Sequence, residues 1–532
     1  MKLFYNKDKK TLEILESNSQ EYEQVKTWLE RHVENYRFLP KFKFTKWDGK
    51  IKFFNNGNIR VGLYKEIFKA LQQLDTKPIL TNKEDFPINR DVTREKVNNF
   101  CKEFFKGYQV LDKKTNKKKT FYPYEHQIET AYQILRNRYC TAEVATSGGK
   151  TLITSIVFFY ILKHINPNAR LLLIVPNISL VTQFYDDIID FNSGFFQEQK
   201  NPCDLRIHEI MSDKPRKYRG EKEPNLIIST YQSLSILENF DRDFYTSFFA
   251  VAVDEAHQAK TESFNKIMKR TIKGATYQFG VSGTFQKEET AEFLTVQSLT
   301  GPKVSSVRAK ELQEKEIISP LKILQLHINH DDPDFLEKLK DIRKVKDSGR
   351  VAYSMETEYI RASEKRKTFI LKILKKQTKN TLLLFNIIEY GTELFEKAKQ
   401  YFIDNKINNV KFYYIDGSVK KDKRKEILKE LEKDDDEIRI LFATYGTLST
   451  GVSVNNIHNI VFAESFKKEQ RIIQSIGRAL RLHEKKTFAR VFDLVDNYIE
   501  TYHYSSMTNH GKKRATMYRE HNYPYSIKKF ML

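Results

Sequence analysis

The nine residues EVATSGGKT at 143–151 decide how this chain is read, because they spell a phosphate-binding loop with one letter out of place. The pattern G-x-x-x-x-G-K-[ST] calls for glycine five residues ahead of Gly149, and Val144 stands there instead. The surroundings nevertheless suit such a loop. A strand-like run, Tyr139 to Val144, leads in and an apolar helical run, Leu152 to Leu162, leads out, so loop amides and a helix N-terminus converge on one point. In this reading Gly148 and Gly149 let the backbone approach phosphate, with Thr146 and Ser147 completing the cradle. Lys150 reaches the terminal phosphates, and Thr151 holds magnesium.

Such a site needs a carboxylate at the end of a neighbouring strand. FFAVAVDEAH at 248–257 supplies one: an apolar strand ends in Asp254, placed to hold the metal, followed by Glu255, placed to orient and deprotonate the attacking water. Both halves together point to hydrolysis of a nucleoside triphosphate with magnesium.

Working outward, apolar runs alternate with amphipathic helical stretches. LLLIVP at 171, NLIIST at 225 and YQFGVSGT at 277 belong with the two runs above. A second series follows: TLLLFN at 381, VKFYYIDG at 410, IRILFAT at 438, NIVFAE at 459 and ARVFDLVD at 489. Strands apolar on both faces and separated by helices make parallel sheets covered by helices. The expected fold is therefore α/β, with two tandem parallel-sheet domains over 121–305 and 318–495. A small α/β domain over 1–95 precedes them, a Lys-rich linker over 96–120 joins it to them, and a C-terminal helix or basic tail occupies 496–532.

The chain has 532 residues, with 91 Lys and Arg against 69 Asp and Glu, a formal charge of +22. That excess favours a polyanion, nucleic acid before an acidic membrane surface. The N-terminus has no signal-like apolar region and the longest apolar run falls short of a bilayer, so no membrane role and a cytoplasmic location are expected. Cys101, Cys140 and Cys203 are too far apart in sequence for a C-x-x-C motif.

Within the first domain, RFLPKFKFTKWDGKIKFF at 37–54 contains Asp48-Gly49, the strongest short hairpin signal. A two-residue turn would place Lys43, Trp47, Lys50 and Lys52 on one face for phosphates and bases, and Phe42, Phe44, Ile51 and Phe53 on the other.

DEAH at 254–257, SGT at 282–284 and QSIGRALR at 474–481 resemble the motifs of superfamily-two helicases and translocases. That resemblance implies RecA-like domains, with Gln127 reading adenine and Gly451 of ATYGTLSTGVSV at the nucleotide. It also implies that Gln474, Arg478 and Arg481 complete the catalytic set, the two arginines facing the nucleotide. Pro176, Asn177, Thr230, Ser233 and Thr444 would grip the strand backbone. The N-terminal segment resembles that of bacteriophage helicases of the UvsW type. This implies an ATP-dependent DNA helicase that unwinds, regresses and anneals branched, double- and single-stranded DNA in phage recombination, repair and replication. It further implies action as a monomer alongside single-strand-binding and recombination proteins. The alternatives are a restriction-type translocase, an RNA helicase, or a DNA-annealing protein that uses ATP only as a switch.

Overall fold

Short strands at the N-terminus form an antiparallel meander with one parallel edge. A computed structural model describes residues 1–111, 118–193, 202–211, 222–237, 242–285, 287–345, 348–433, 435–448, 456–464, 472, 475–477, 486–498 and 505–532. The N-terminal strands are β1 (Lys2–Asn6), β2 (Thr11–Glu16), β3 (Glu30–His32), β4 (Lys50–Lys52), β5 (Phe54–Asn55), β6 (Asn58–Arg60) and β7 (Ile79–Leu80). Five of them make a sheet of order β5-β6-β2-β1-β7, and β3 pairs separately with β4. Leu3, Tyr5, Leu12, Val25, Ile59 and Ile67 form its core, and Tyr139, Ile272 and Leu294 of the following domain enter the same cluster. Gly62 explains the close fit: a Cβ there would lie 2.1 Å from the carbonyl oxygen of Gln297. Residues 1–111 and 118–307 accordingly form one compact unit and 308–532 a second.

A linker is expected over 96–120, but much of that stretch is ordered structure. Helix Arg94–Phe104 presents Val97, Phe100, Cys101 and Phe104 inward, the i, i+3, i+4, i+7 spacing that makes one apolar stripe. Phe104 stacks on Phe159 with ring centroids 5.0 Å apart. Strands β8 (Gln109–Leu111) and β9 (Lys118–Thr120) pair beyond it. The Lys-rich residues 112–117 lie outside the described residues.

The first large sheet contains β10 (Tyr139–Val144), β11 (Leu171–Val175), β12 (Ile207–Ile210), β13 (Leu226–Thr230), β14 (Ala250–Asp254), β15 (Tyr277–Ser282) and β16 (Lys303–Val307). All pairings are parallel, in the order β12-β13-β11-β14-β15-β10-β16. The second contains β17 (Leu321–His330), β18 (Thr381–Phe385), β19 (Val410–Ile415), β20 (Ile438–Thr444), β21 (Asn459–Phe462), β22 (Ala489–Tyr498) and β23 (Tyr525–Met531). Its order is β19-β20-β18-β21-β22-β17-β23, again parallel throughout. In chain order the two sheets are wound alike, strand for strand. The expected fold, two tandem parallel-sheet domains after a small α/β domain, is the observed one.

Of the C-terminal helix or basic tail expected over 496–532, the helix forms. Helix Ser506–Glu520 packs on β22, and β23 adds an edge strand beside β17. Arg514 anchors the helix: its guanidinium, 2% exposed, lies 2.8 Å from Asp493, which is fully buried. Asp493 also accepts from Gln325 and Tyr518. Strand β23, YSIKKFM, escapes a reading for apolar runs because most of this edge strand faces solvent.

The hairpin expected at Asp48-Gly49 does not form. Pro40 occupies the first turn of a short helix, Pro40–Phe44, which removes the would-be first strand, and β4 pairs with β3 instead. The turn survives on its own. Asp48 accepts from the Lys50 amide at 3.0 Å and Gly49 takes φ +80°. Trp47 is half-buried, with its indole N–H donating to the Lys50 carbonyl at 2.8 Å.

Arg514→Ala leaves Asp493 buried without its cation and should destabilise the second unit by about 3–5 kcal/mol in chemical denaturation followed by circular dichroism. Lys528→Ala, on the exposed face of β23, should cost less than about 0.5 kcal/mol. Equal small effects would show that the C-terminal elements contribute nothing to the fold.

Candidate active site

Three adjacent strands, β14, β15 and β10, bring the site together at their C-terminal ends. Register sets Glu143 opposite Ser282 and Asp254 opposite Val281. The loop after β10 turns through Ser147 at φ 69° and Gly149 at φ 87°, and helix Lys150–Tyr160 starts immediately after. Gly149 suits this loop because its φ strains any residue with a side chain, and a Cβ there would displace the Gln127 amide, 2.1 Å away at Nε2. Gln127 is buried and works as a brace: its Nε2 donates to the Gly148 carbonyl at 3.1 Å and its Oε1 accepts from the Tyr124 amide at 2.9 Å. His126 Nε2 lies 2.9 Å from the same Gly148 oxygen. Ser147 holds a left-handed conformation that glycine adopts freely, at a cost of about 1–2 kcal/mol. Val144 is the last residue of β10 and fully buried, so that position serves the sheet.

Lys150 Nζ lies 2.5 Å from Glu255 Oε1 and 3.8 Å from Asp254 Oδ1. Burial works against the Lys150 ammonium, but Glu255 and Asp254 outweigh it and hold its pKa above the ordinary value. Burial pushes the Asp254 carboxyl up to about 6, against the pull of Lys150. Burial acts on Glu255 in the same sense, yet Lys150 and His257 overcome it and hold that carboxyl well below the usual range. Glu255 also sits in the left-handed region, φ 52° and ψ 47°, a strained backbone of the kind found at functional sites.

Ser282 joins the carboxylates to the next loop. Its hydroxyl lies 3.1 Å from Glu255 Oε2 and 2.8 Å from the Thr284 carbonyl oxygen, so one proton has two acceptors to choose between. His257 Nδ1 lies 2.8 Å from the Ser282 hydroxyl and 3.2 Å from Glu255 Oε2. His257 and Ser282 are the two site residues that the sequence reading quotes within motifs without giving them a role. Their signal was the spacing of DEAH and SGT at the ends of adjacent strands.

The residues expected to grip a strand share a different device. Asn177 Oδ1 accepts from the Leu180 amide at 3.1 Å, capping helix Ile178–Ser193 after β11. Thr230 and Ser233 repeat this after β13: the Ser233 amide donates to Thr230 Oγ1 at 3.2 Å. Thr444 and Thr447 do the same after β20, also at 3.2 Å. The spelling repeats too, TYQSL at 230–234 and TYGTL at 444–448, on strands at matching places in the two sheets. In the second sheet, Thr444 lines a cavity of about 490 Å³ with Asn386, Gly417 and Arg424. Arg424 donates to the Asp416 and Val419 carbonyls, while its buried Nε has no hydrogen-bond partner. Arg424 lies outside the motifs quoted above, and Asn386 ends the quoted run TLLLFN.

Of the basic face expected in the first domain, Lys50 pairs with Glu30 at 3.2 Å and Lys52 with Asp48 at 3.1 Å, so neither is a free cation. Lys43 is exposed on the short helix, and Trp47 faces Lys41. Gly451, Gln474, Arg478 and Arg481 lie outside the described residues.

Comparison with known proteins accounts for this arrangement. The model of DEAD/DEAH box helicases matches residues 124–293, that of the helicase conserved C-terminal domain 364–483, and that of the DNA helicase UvsW N-terminal region 5–80. The chain is a UvsW-like superfamily-two helicase. The ATP-dependent DNA helicase uvsW of Enterobacteria phage T4 is 26% identical to it over 525 residues, 95% of each chain. Among solved structures, that of T4 UvsW aligns with 100% of this chain and 99% of its own at 23% identity and a TM-score of 0.47. The ATP-dependent Type ISP restriction-modification enzyme LlaBIII bound to DNA aligns over 87% of this chain and 34% of that one, at 14% identity and a TM-score of 0.57, a likeness of fold alone. As a helicase of this family the chain uses ATP, and no helix among its described residues is long and apolar enough to cross a membrane.

Among the described residues, no group of three or more His, Cys, Asp or Glu is arranged to hold a metal ion. The site instead fits a magnesium ion shared with a nucleotide, because Asp254 Oδ1 is buried without a hydrogen-bond partner and magnesium is commonly held by one carboxylate plus phosphates. Metal and proton then compete for Asp254. Since its pKa is raised to about 6, magnesium-dependent nucleotide affinity should be full above pH 7 and fall as pH drops through 6, by about tenfold per pH unit below it. Titration calorimetry with a non-hydrolysable ATP analogue reads this; affinity flat from pH 7.5 to 5 would exclude Asp254 as the metal ligand.

Proposed function

We propose that this helicase couples ATP hydrolysis to movement on branched DNA, unwinding, regressing and re-annealing strands at forks and junctions. The observation that carries the hydrolytic part is Lys150 lodged against Glu255 and Asp254, with Gln127 bracing the loop that delivers it. Lys150 would turn from Glu255 to the terminal phosphates of ATP, and Thr151 and Asp254 would hold magnesium, which screens charge on the transferring phosphoryl group when bound.

That movement prepares the base. While Lys150 sits on Glu255, the carboxylate is too stable an anion to take a proton. Once the ammonium engages phosphate, the attraction is released and the Glu255 pKa rises toward a value useful for catalysis. Glu255 then accepts a proton from the water whose oxygen bonds to the γ-phosphorus, as the bond to the ADP oxygen breaks. Gln127 would read adenine. Gln474, Arg478, Arg481 and Gly451 would act on the nucleotide, as the resemblance of their motifs to those of superfamily-two helicases implies.

DNA would lie along the strand ends that carry the capped helices. Pro176, Asn177, Thr230 and Ser233 in the first domain and Thr444 in the second would make the backbone contacts, as the helicase motifs they belong to imply, and Arg424 would join Thr444. Arg424, which lines a cavity with Asn386 and Thr444, supports phosphate binding there. The formal charge of +22 supports a polyanionic partner. DNA as substrate is supported by the likeness to the ATP-dependent DNA helicase uvsW of phage T4 over 95% of both chains, and branched DNA by the resemblance of the N-terminal segment to helicases of the UvsW type. Action as a monomer in the cytoplasm, alongside single-strand-binding and recombination proteins, belongs to the same reading.

ATPase rates with forked DNA, four-way junctions, linear duplex and RNA, together with unwinding on gels, test the proposal. Forks and junctions should stimulate several-fold more than linear duplex and should be unwound or regressed. Stimulation by RNA alone would overturn it.

A further inference from the structure

Phe44, 83% exposed, and Phe38, 76% exposed, are the most solvent-exposed large apolar side chains among the described residues, and they flank one short helix, Pro40–Phe44. Their support is rigid. Phe42, between them, packs edge-on against Tyr36 with centroids 4.9 Å apart, and Tyr36 stacks on His32 at 4.5 Å. The Tyr36 ring also fills the space above Gly49, where a Cβ would lie 2.1 Å from it. The helix is thus pinned by its inner side, while Phe38 and Phe44 gain nothing for the fold.

Residues 37–47 carry Arg37, Lys41, Lys43 and Lys46 and no acidic side chain. Aromatic faces in a setting of unopposed cations match an unpaired nucleic-acid strand, whose bases stack while its phosphates meet lysine. A protein or lipid partner would use the apolar rings but draws no benefit from this charge unless it is itself acidic.

We propose that Phe38 and Phe44 form a stacking site for unpaired bases of a DNA strand, with Arg37, Lys41, Lys43 and Lys46 holding its phosphates. This rests on the DNA reading above and deepens it. It replaces the hairpin face as the contact of the first domain, because Lys50 and Lys52 are ion-paired and Trp47 is tied to the Lys50 carbonyl. On a forked substrate the site takes hold of bases that have left the duplex.

The test compares wild type with Phe38→Ala/Phe44→Ala for binding to fluorescein-labelled oligo-dT, a fork with unpaired arms and a blunt duplex, at two salt concentrations. Stacking of one base per ring makes affinity for oligo-dT and the fork fall by about 5- to 150-fold per ring lost. Affinity for blunt duplex, the salt dependence and the melting temperature stay as in wild type, and Phe38→Trp/Phe44→Trp restores the loss. Unchanged oligo-dT affinity, equal losses on blunt duplex, or a change of oligomeric state in light scattering would each overturn the proposal. Should wild type bind none of the three DNAs, the DNA reading itself falls; should it bind them and the variant lose nothing, only the stacking site falls.

Discussion

One ammonium between two buried carboxylates organises the first large sheet. Lys150 can reach Glu255 and Asp254 only because β10 and β14 flank β15 and all three end at one level. Remove that cation and two carboxyls face each other in a buried corner, an arrangement that costs several kcal/mol. The strained backbone at Ser147 and Glu255 belongs to the same corner. Strain and buried charge together make a site that is stable with Lys150 in place and poised to exchange it for another arrangement of charges.

The second sheet shows what the same winding does without a phosphate loop. It buries Arg366, fully enclosed, whose Nε and a terminal nitrogen donate to Asp496 at 2.7 and 2.9 Å and which also donates to Tyr390. His330 Nε2 lies 2.9 Å from Asp496 Oδ1, the oxygen that also accepts from Arg366 Nε. Burial works against the Asp496 carboxylate, but Arg366 and His330 hold its pKa well below the usual range. A permanently paired guanidinium makes this corner structural, whereas in the first sheet Lys150 is a point charge on a flexible stem that can move. What the two sheets keep in common is the Thr-Tyr repeat and its capping hydroxyls, which is where strand contact is proposed in both.

Legibility in the sequence followed burial. Strands apolar on both faces, such as LLLIV at 171–175 and TLLLF at 381–385, announce themselves, and so the two parallel sheets were readable. Strand β23 and helix Arg94–Phe104 were not: the first is an edge with most side chains in water, and the second hides a four-residue apolar stripe among charged neighbours. The hairpin failed because local turn chemistry was correct while Pro40 committed the preceding residues to helix. At the site, Lys150, Asp254 and Glu255 were legible from spacing. The roles of His257 and Ser282 depend on which strand ends are neighbours in the sheet, and the importance of Arg424 on the cavity it lines with Thr444, neither of which spacing reveals.

The central claim is that Glu255, freed from Lys150 by bound nucleotide, takes the proton from water. Steady-state ATP hydrolysis by Glu255→Gln, with ATP and DNA affinities measured alongside, tests it most directly. Turnover should fall by about 10²- to 10⁴-fold while both ligands still bind. Turnover equal to wild type would contradict the account, since the amide cannot accept that proton.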